Sequence, residues 1–239
     1  MHGSLKSPPM SHSAPLHLRP TAPLAERVLL PGDPGRALML AQTLLQEPRM
    51  FNHHRGLWGY TGTAGDGEPI TIQSTGMGGP SAAIVLSELI ELGARRAIRV
   101  GTCGALDREI GLGELVIAAR AICADGTSRA LGAGDTIAAD AALTGALTGL
   151  APEAHAGDVV SVDLFYELGP PGAGRDALAV EMEAATLFAV GAARSVPVAC
   201  ALVATDVFAA DGARARIEDD DLHAAAERMG SLAISALSA

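Results

Sequence analysis

Aromatic residues are scarce: one Trp, two Tyr and four Phe stand among 239 residues, 3% of the chain. Its core must therefore be aliphatic, and an aromatic beside a functional motif stands out. Cysteine is scarce too. Cys103, Cys123 and Cys200 form no CxxC pair and no Cys/His pattern with metal-ligand spacing, so neither a disulfide scaffold nor a metal centre is expected. Sparse thiols of this kind point to a cytoplasmic protein. Basic residues are outnumbered, 17 Lys and Arg against 27 Asp and Glu, for a formal net charge of −10. That balance argues against nucleic acid as a partner, because phosphate backbones require a basic face. A small anion is not excluded, since it needs only a local cluster of arginines and backbone amides. Long apolar runs are missing as well. The stretch "PVACALVA" (197–204) falls far short of the ~20 residues that cross a bilayer, so no membrane partner is expected. Residues 1–15 lack the apolar segment of a secretory signal and are rich in Pro, Ser and His, which predicts a disordered leader before one domain over residues 16–239.

What is present is alternation. "RVLLP" (27–31) reads as a strand, and "GRALMLAQTLLQ" (35–46) has helical spacing. "LWGYTGT" and "PITIQSTGMG" read as strands joined by a "GDGE" turn. "PSAAIVLSELIELG" (80–93) predicts a helix with Pro80 in its first turn and Gly93 as its stop. Further strands follow at "RRAIRVG", "GELVIAARAI", "HAGDVVSV" and "VPVACALVATD", with helices at 139–150, after "AVEM" and at the C-terminus. This pattern predicts a single α/β domain: a mixed, largely parallel central sheet covered by helices on both faces. Residues 167–177 and 207–217 read as loops. In such folds ligands gather at the carboxyl ends of strands, where "PGDPGR", "GMGG", "GTCG", "SVDLFY" and "TD" stand.

Two of these stretches suit an anion. In "PGDPGR", Gly32 follows a strand and Arg36 opens a helix, so a backbone amide, a helix N-terminus and a guanidinium can converge. In "IRVGTCGAL", Arg99 interrupts an apolar strand and Thr102 is read on a glycine-flanked turn. A surface arginine and a buried arginine paired with a core carboxylate are the plain structural alternatives. Neither glycine motif completes a dinucleotide fingerprint or a P-loop, so free phosphate or a simple ester is the expected anion. "VEMEAA" places Glu181 and Glu183 two apart at a strand-to-helix junction. A carboxylate there can accept hydrogen bonds from vicinal sugar hydroxyls; the plain alternative is that Glu183 merely caps the helix that follows. Asp206 ends the most apolar strand, where burial is expected to favour a protonated acid suited to general acid work. Phe165 and Tyr166 offer aromatic faces to a flat heterocycle or to the core.

Taken together, "LLPGDPGRA", "RGLWGYTGT", "STGMGGPSAA", "IRVGTCGAL", "SVDLFY", "AVEMEAA" and "VATD", in this order over residues 27–206, resemble the nucleoside phosphorylase family that includes hexameric bacterial purine nucleoside phosphorylase and uridine phosphorylase. The resemblance implies phosphorolysis of a nucleoside to free base and (deoxy)ribose 1-phosphate. It implies phosphate held by Gly32, Arg36, Arg99 and Thr102, with Arg55 reaching in from a neighbouring subunit. It places His17, or alternatively His12, with Met77, Met182 and Glu183 around the ribose. Phe165, Val180 and Thr205 fall around the base, and Asp206 is the acid that protonates a purine at N7. Inorganic phosphate is then a substrate, and no metal or organic cofactor is implied. The partner is a second copy of the chain, in a homo-oligomer expected to be a hexamer built from dimers that share active sites.

Within that family, uridine phosphorylases carry a Gln and an Arg just after the "FY", where this chain has "ELGPPGAGRDA", and they lack an acid at the position of Asp206. The related hydrolase of methylthioadenosine and adenosylhomocysteine lacks the full arginine set. Both comparisons favour a purine phosphorylase. A storage-type or sensor protein on the same fold remains the non-enzyme alternative. One departure stands out: the purine enzyme has "SDH" and a downstream helix arginine that pairs with the acid. Here "TDV" is followed at the aligned place by the acidic run "EDDD" (218–221). Arg214 or Arg216 is the candidate substitute, and desolvation alone is the other route to a protonated Asp206.

Overall fold

The computed structural model describes residues 15–166, 176–208 and 214–239. The leader expected over residues 1–15, with His12, lies outside the described residues except for residue 15. In chain order the elements are β1 (Arg27–Leu30), α1 (Pro34–Leu44), β2 (Gln46–Asn52), β3 (Gly59–Thr63), β4 (Pro69–Gln73), α2 (Gly79–Leu92), β5 (Arg96–Ala105) and β6 (Leu115–Ala124). They continue as α3 (Gly126–Ala130), β7 (Thr136–Ala138), α4 (Ala141–Leu150), β8 (His155–Val162), β9 (Ala179–Glu181), α5 (Ala184–Arg194), β10 (Val198–Phe208), β11 (Arg214–Arg216) and α6 (Asp219–Ser238).

Local chemistry accounts for the helix ends. Asp33 caps α1 by accepting from the Arg36 amide at 2.7 Å, and Pro34 occupies its first turn. Gly93 closes α2 in a left-handed conformation with φ 118°. The acidic run Asp219–Asp221 forms the first turn of α6, where it complements the helix dipole.

The strands form one mixed sheet. Parallel pairings run through its centre, β4–β1, β1–β5, β5–β10, β6–β8 and β8–β9. Antiparallel hairpins extend one margin through β3 and β2. Because β10 pairs with both β5 and β6, and β9 bridges β8 to β5, five strands close on themselves. Alternation along β5 and β10 then decides the layers. Ala97, Cys103, Val198, Cys200 and Leu202 face α2 and α5, whereas Ile98, Val100, Ala199, Ala201 and Val203 face α1, α4 and α6. Helices cover both faces, as the alternation predicts.

Three local expectations change. "GTCG" is not a turn: β5 runs on to Ala105, because Gly101–Cys103 pair in register with Leu202–Ala204 of β10. The loop expected over 207–217 contains the end of β10 and all of β11, whose Arg214–Arg216 pair antiparallel with Asp206–Phe208. Residues 46–52 and 136–138 form edge strands that sequence periodicity did not suggest, since their exposed polar residues carry little alternation. Residues 167–175 of the other expected loop lie outside the described residues.

Candidate active site

The site is built around Arg99. Its side chain is buried within β5, only 4% exposed, and meets two carboxylates. Arg99 Nε donates to Glu181 Oε2 at 3.0 Å and Nη2 to Glu183 Oε2 at 2.5 Å. The plain structural reading therefore holds, since the arginine is paired with core carboxylates, and one nitrogen is left over. Nη1 is buried with no hydrogen-bond partner among the described residues. A Cβ on Gly32 would lie 3.9 Å from it, so the backbone of the "PGDPGR" turn borders this free donor. A buried unpartnered guanidinium nitrogen is costly unless a ligand completes it.

Gly101 has a steric role here. The Arg99 guanidinium folds back over it, and a Cβ there would sit 2.7 Å from Arg99 Cζ. Arg36, half-buried in the first turn of α1, faces the same region. Burial pushes its pKa down and the Arg99 guanidinium adds to that, while Asp33 and Glu183 oppose. Arg36 is thus close enough to feel both Arg99 and Glu183, and the buried Arg99 Nη1 has no partner, an arrangement suited to an anion. Thr102 lies half-buried inside β5, opposite Val203.

The two glutamates divide the roles that sequence had left open. Glu183 is the N-cap residue of α5, but its side chain makes no capping bond. Glu181 caps instead, accepting from the amides of Glu183 and Ala184 at 2.9 Å. Glu183 Oε1 reaches across to the Gly78 amide at 2.5 Å. Gly76 and Gly78 hold φ of 73° and 84° on either side of Met77, a backbone that L-residues adopt poorly. Their turn leaves Met77 86% exposed. Burial pushes the pKa of Glu183 up, and the Glu181 charge adds to this, against the pull of Arg99. Two buried carboxylates share one guanidinium, so one is under-compensated. Met182 and Val180 pack against the Val160–Val162 cluster, half-buried.

Asp206 stands at the end of β10, 5% exposed. Its Oδ1 accepts from Arg214 Nε at 2.9 Å and its Oδ2 from Thr205 Oγ1 at 2.9 Å. Of the two routes left open for Asp206, an arginine partner is the one present: the Arg214 guanidinium on β11 is paired with it. Arg216 sits opposite Asp206 in register but Arg214 makes the bond. Thr205 is buried and its hydroxyl also lies 3.2 Å from the Cys103 carbonyl. The Arg214 guanidinium stacks over Phe165 at 5.1 Å, and Phe165 meets Tyr166 edge-on at 5.1 Å. Both aromatics are exposed, so they do not serve as core anchors.

His17 and the segment carrying Arg55 are joined through His54. Arg55 is exposed in a left-handed conformation, φ 60°, between β2 and β3. The neighbouring His54 ring nitrogen Nδ1 is 3.0 Å from the His17 carbonyl. The His17 ring bonds to Glu88 on α2 at 2.7 Å. A cavity of about 510 Å³ opens between Gly113, Arg216 and Asp221; of the candidate residues it takes in Arg216, while Arg99, Glu183 and Asp206 do not line it. Sequence reasoning assigned no role to Glu181 or to Ser161, which donates to it. Their signal was present only as members of the "VEMEAA" and "SVDLFY" stretches.

With this geometry the comparisons agree. The phosphorylase superfamily model matches residues 26–238. The chain belongs to that superfamily. It is similar to the DeoD-type purine nucleoside phosphorylase of Oceanobacillus iheyensis, 37% identical over 71% of this chain and 77% of the relative. The Geobacillus kaustophilus protein of the same description is 39% identical over 72% of this chain and 77% of its own length. That of Clostridium novyi is 36% identical over 77% and 83%. As a member of the superfamily, the chain joins a recognised phosphorylase scaffold to the arginine cluster and the paired acid described above. No helix among the described residues is long and apolar enough to cross a membrane.

Proposed function

We propose that this protein is an enzyme that cleaves purine nucleosides with inorganic phosphate, giving free purine and (deoxy)ribose 1-phosphate. The observation that carries the reading is the spare N–H of buried Arg99 beside Arg36 and Gly32, one ion pair away from Glu183. The names of the relatives supply the substrate class.

In this reading Arg99, Arg36, the Gly32 amide and Thr102 hold phosphate beneath C1′. Glu183 accepts from the sugar hydroxyls, with Met77 and Met182 against the ribose. Phe165, Val180 and Thr205 border the base. A phosphate oxygen bonds to C1′ as the C1′–N9 bond breaks, and its electron pair passes to the base. The phosphate anion stabilises the oxocarbenium character that develops between them. Asp206 donates a proton to N7 so that the base leaves neutral. Each Asp206 oxygen accepts one hydrogen bond in the resting arrangement, which leaves a lone pair on each where the proton can be carried. No metal or organic cofactor takes part. Arg55 and His17 act in a neighbour's site, within a hexamer built from dimers; the exposure of Arg55 supports this. Cytoplasmic residence fits three unpaired, buried cysteines.

The test is incubation with inosine, adenosine and uridine, with and without phosphate, followed by product separation. Purine and ribose 1-phosphate formed only with phosphate are expected. Base release without phosphate would replace the reading with a hydrolase, uracil release with a uridine phosphorylase, and binding without turnover with a sensor or storage protein.

A further inference from the structure

Glu181 has no part in the reaction just proposed, yet its side chain is fully buried beside the site. Its Oε2 accepts from Arg99 Nε at 3.0 Å and its Oε1 from Ser161 Oγ at 2.5 Å. The amides of Glu183 and Ala184 add their own hydrogen bonds at 2.9 Å. Ser161 Oγ in turn accepts from the Ala185 amide at 2.9 Å. The carboxylate is thus held by three segments, β5, the end of β8 and the start of α5.

A guanidinium is planar and rigid. Once Nε and Nη2 are fixed, the direction of Nη1 follows. Glu181 fixes the first and Glu183 the second. Gly101 supplies a floor without a side chain, where a Cβ would collide with Cζ. Of the two holds, the Glu183 bond is the one that turnover disturbs, because the same carboxylate is shared with the sugar. The Glu181 bond faces only protein, so it persists while Glu183 changes partners.

We infer that Glu181 is the positioning residue that aims Arg99 Nη1 at the incoming phosphate, with Ser161 orienting Glu181. The inference rests on the phosphorolytic reading above. It makes a prediction opposite in sign to that from charge alone. Removing a negative charge from beside an anion site favours the anion. Loss of the hold on Arg99 disfavours it, since a small misplacement of a binding group is costly.

The experiment compares the full-length protein with Glu181→Gln, Glu181→Asp and Ser161→Ala. Inorganic phosphate is titrated into each by calorimetry, and phosphate KM, nucleoside KM, kcat and Tm are measured. Glu181→Gln and Glu181→Asp are both expected to weaken phosphate binding and raise phosphate KM about tenfold or more, with nucleoside KM changed less than about threefold. Ser161→Ala keeps the carboxylate and is expected to raise phosphate KM about threefold. It carries the test if the Glu181 variants do not fold. Tighter phosphate binding in Glu181→Gln, with Glu181→Asp like the parent, would overturn the inference in favour of a charge effect. A lower Tm with unchanged kinetic constants would reduce Glu181 to a structural residue. If the parent itself neither binds nor requires phosphate, the phosphorolytic reading fails first; if it does both and the variants match it, Glu181 alone is dismissed.

Discussion

The Arg99 end and the Asp206 end occupy adjoining strands but are held in different ways. Arg99 is enclosed by residues of β5, β8, β9 and α5, and two of its three nitrogens are committed to buried carboxylates. Asp206 leans on one arginine whose side chain is 39% exposed, on a three-residue strand, stacked on an exposed phenylalanine. The difference teaches where variation is tolerated. The Arg99 end is over-determined by the core. The Asp206 end depends on one partly exposed arginine on a three-residue strand.

The largest effect should come from Arg99→Ala. It strands two buried carboxylates, so stability should fall by about 3–5 kcal/mol and phosphate-dependent turnover by about 10²–10³-fold. Denaturant melts and phosphate kinetics measure both; an intact Tm would break the claim that this end belongs to the core. Next, Asp206→Asn should slow purine release by about 10²–10⁴-fold while moving phosphate KM less than about threefold. Steady-state assays with inosine and adenosine decide it, and unchanged turnover would remove Asp206 from the chemistry. Arg214→Ala should then cost about tenfold in kcat/KM, the worth of one charge-assisted hydrogen bond, whereas Arg216→Ala should resemble the parent. Equal losses from the two would erase the distinction drawn on β11.

The smallest effect is a pH dependence. Burial raises the pKa of Glu183 above its ordinary 4.5. The folded state then holds that proton more tightly than the unfolded state. Stability from this group is present at low pH and is lost as pH rises from the ordinary glutamate range through the raised value. Glu183→Gln should flatten that decline in Tm measured from acid to neutral pH. A parallel shift of the whole curve would mean that Glu183 ionises as freely folded as unfolded.

Much of this was legible beforehand. The helices other than α3 followed from apolar spacing, with Pro80 and Gly93 acting locally on α2, whereas the five residues of α3 are too few to show a period. Arg99 stood out because a charge inside an apolar strand demands a partner. Other features were hidden for physical reasons. Gly101 and Gly104 suggested a turn, but pairing with β10 overrode that local tendency and kept the strand extended. β11 is three exposed residues, too short to show a period.

By itself, the sequence determined the alternation of strands and helices, the absence of a metal pattern, and the cast of charged residues at the strand ends, because spacing, capping and composition are short-range properties. Only the tertiary structure decided how that cast was arranged. It made Glu181 the cap of α5 and sent Glu183 across to Gly78. It also chose Arg214 over Arg216 for Asp206. Those choices depend on strand register and on contacts between residues as far apart as Arg99 and Glu181, 82 positions along the chain. No local spacing encodes which of two neighbouring carboxylates, or which of two neighbouring arginines, will face a distant partner.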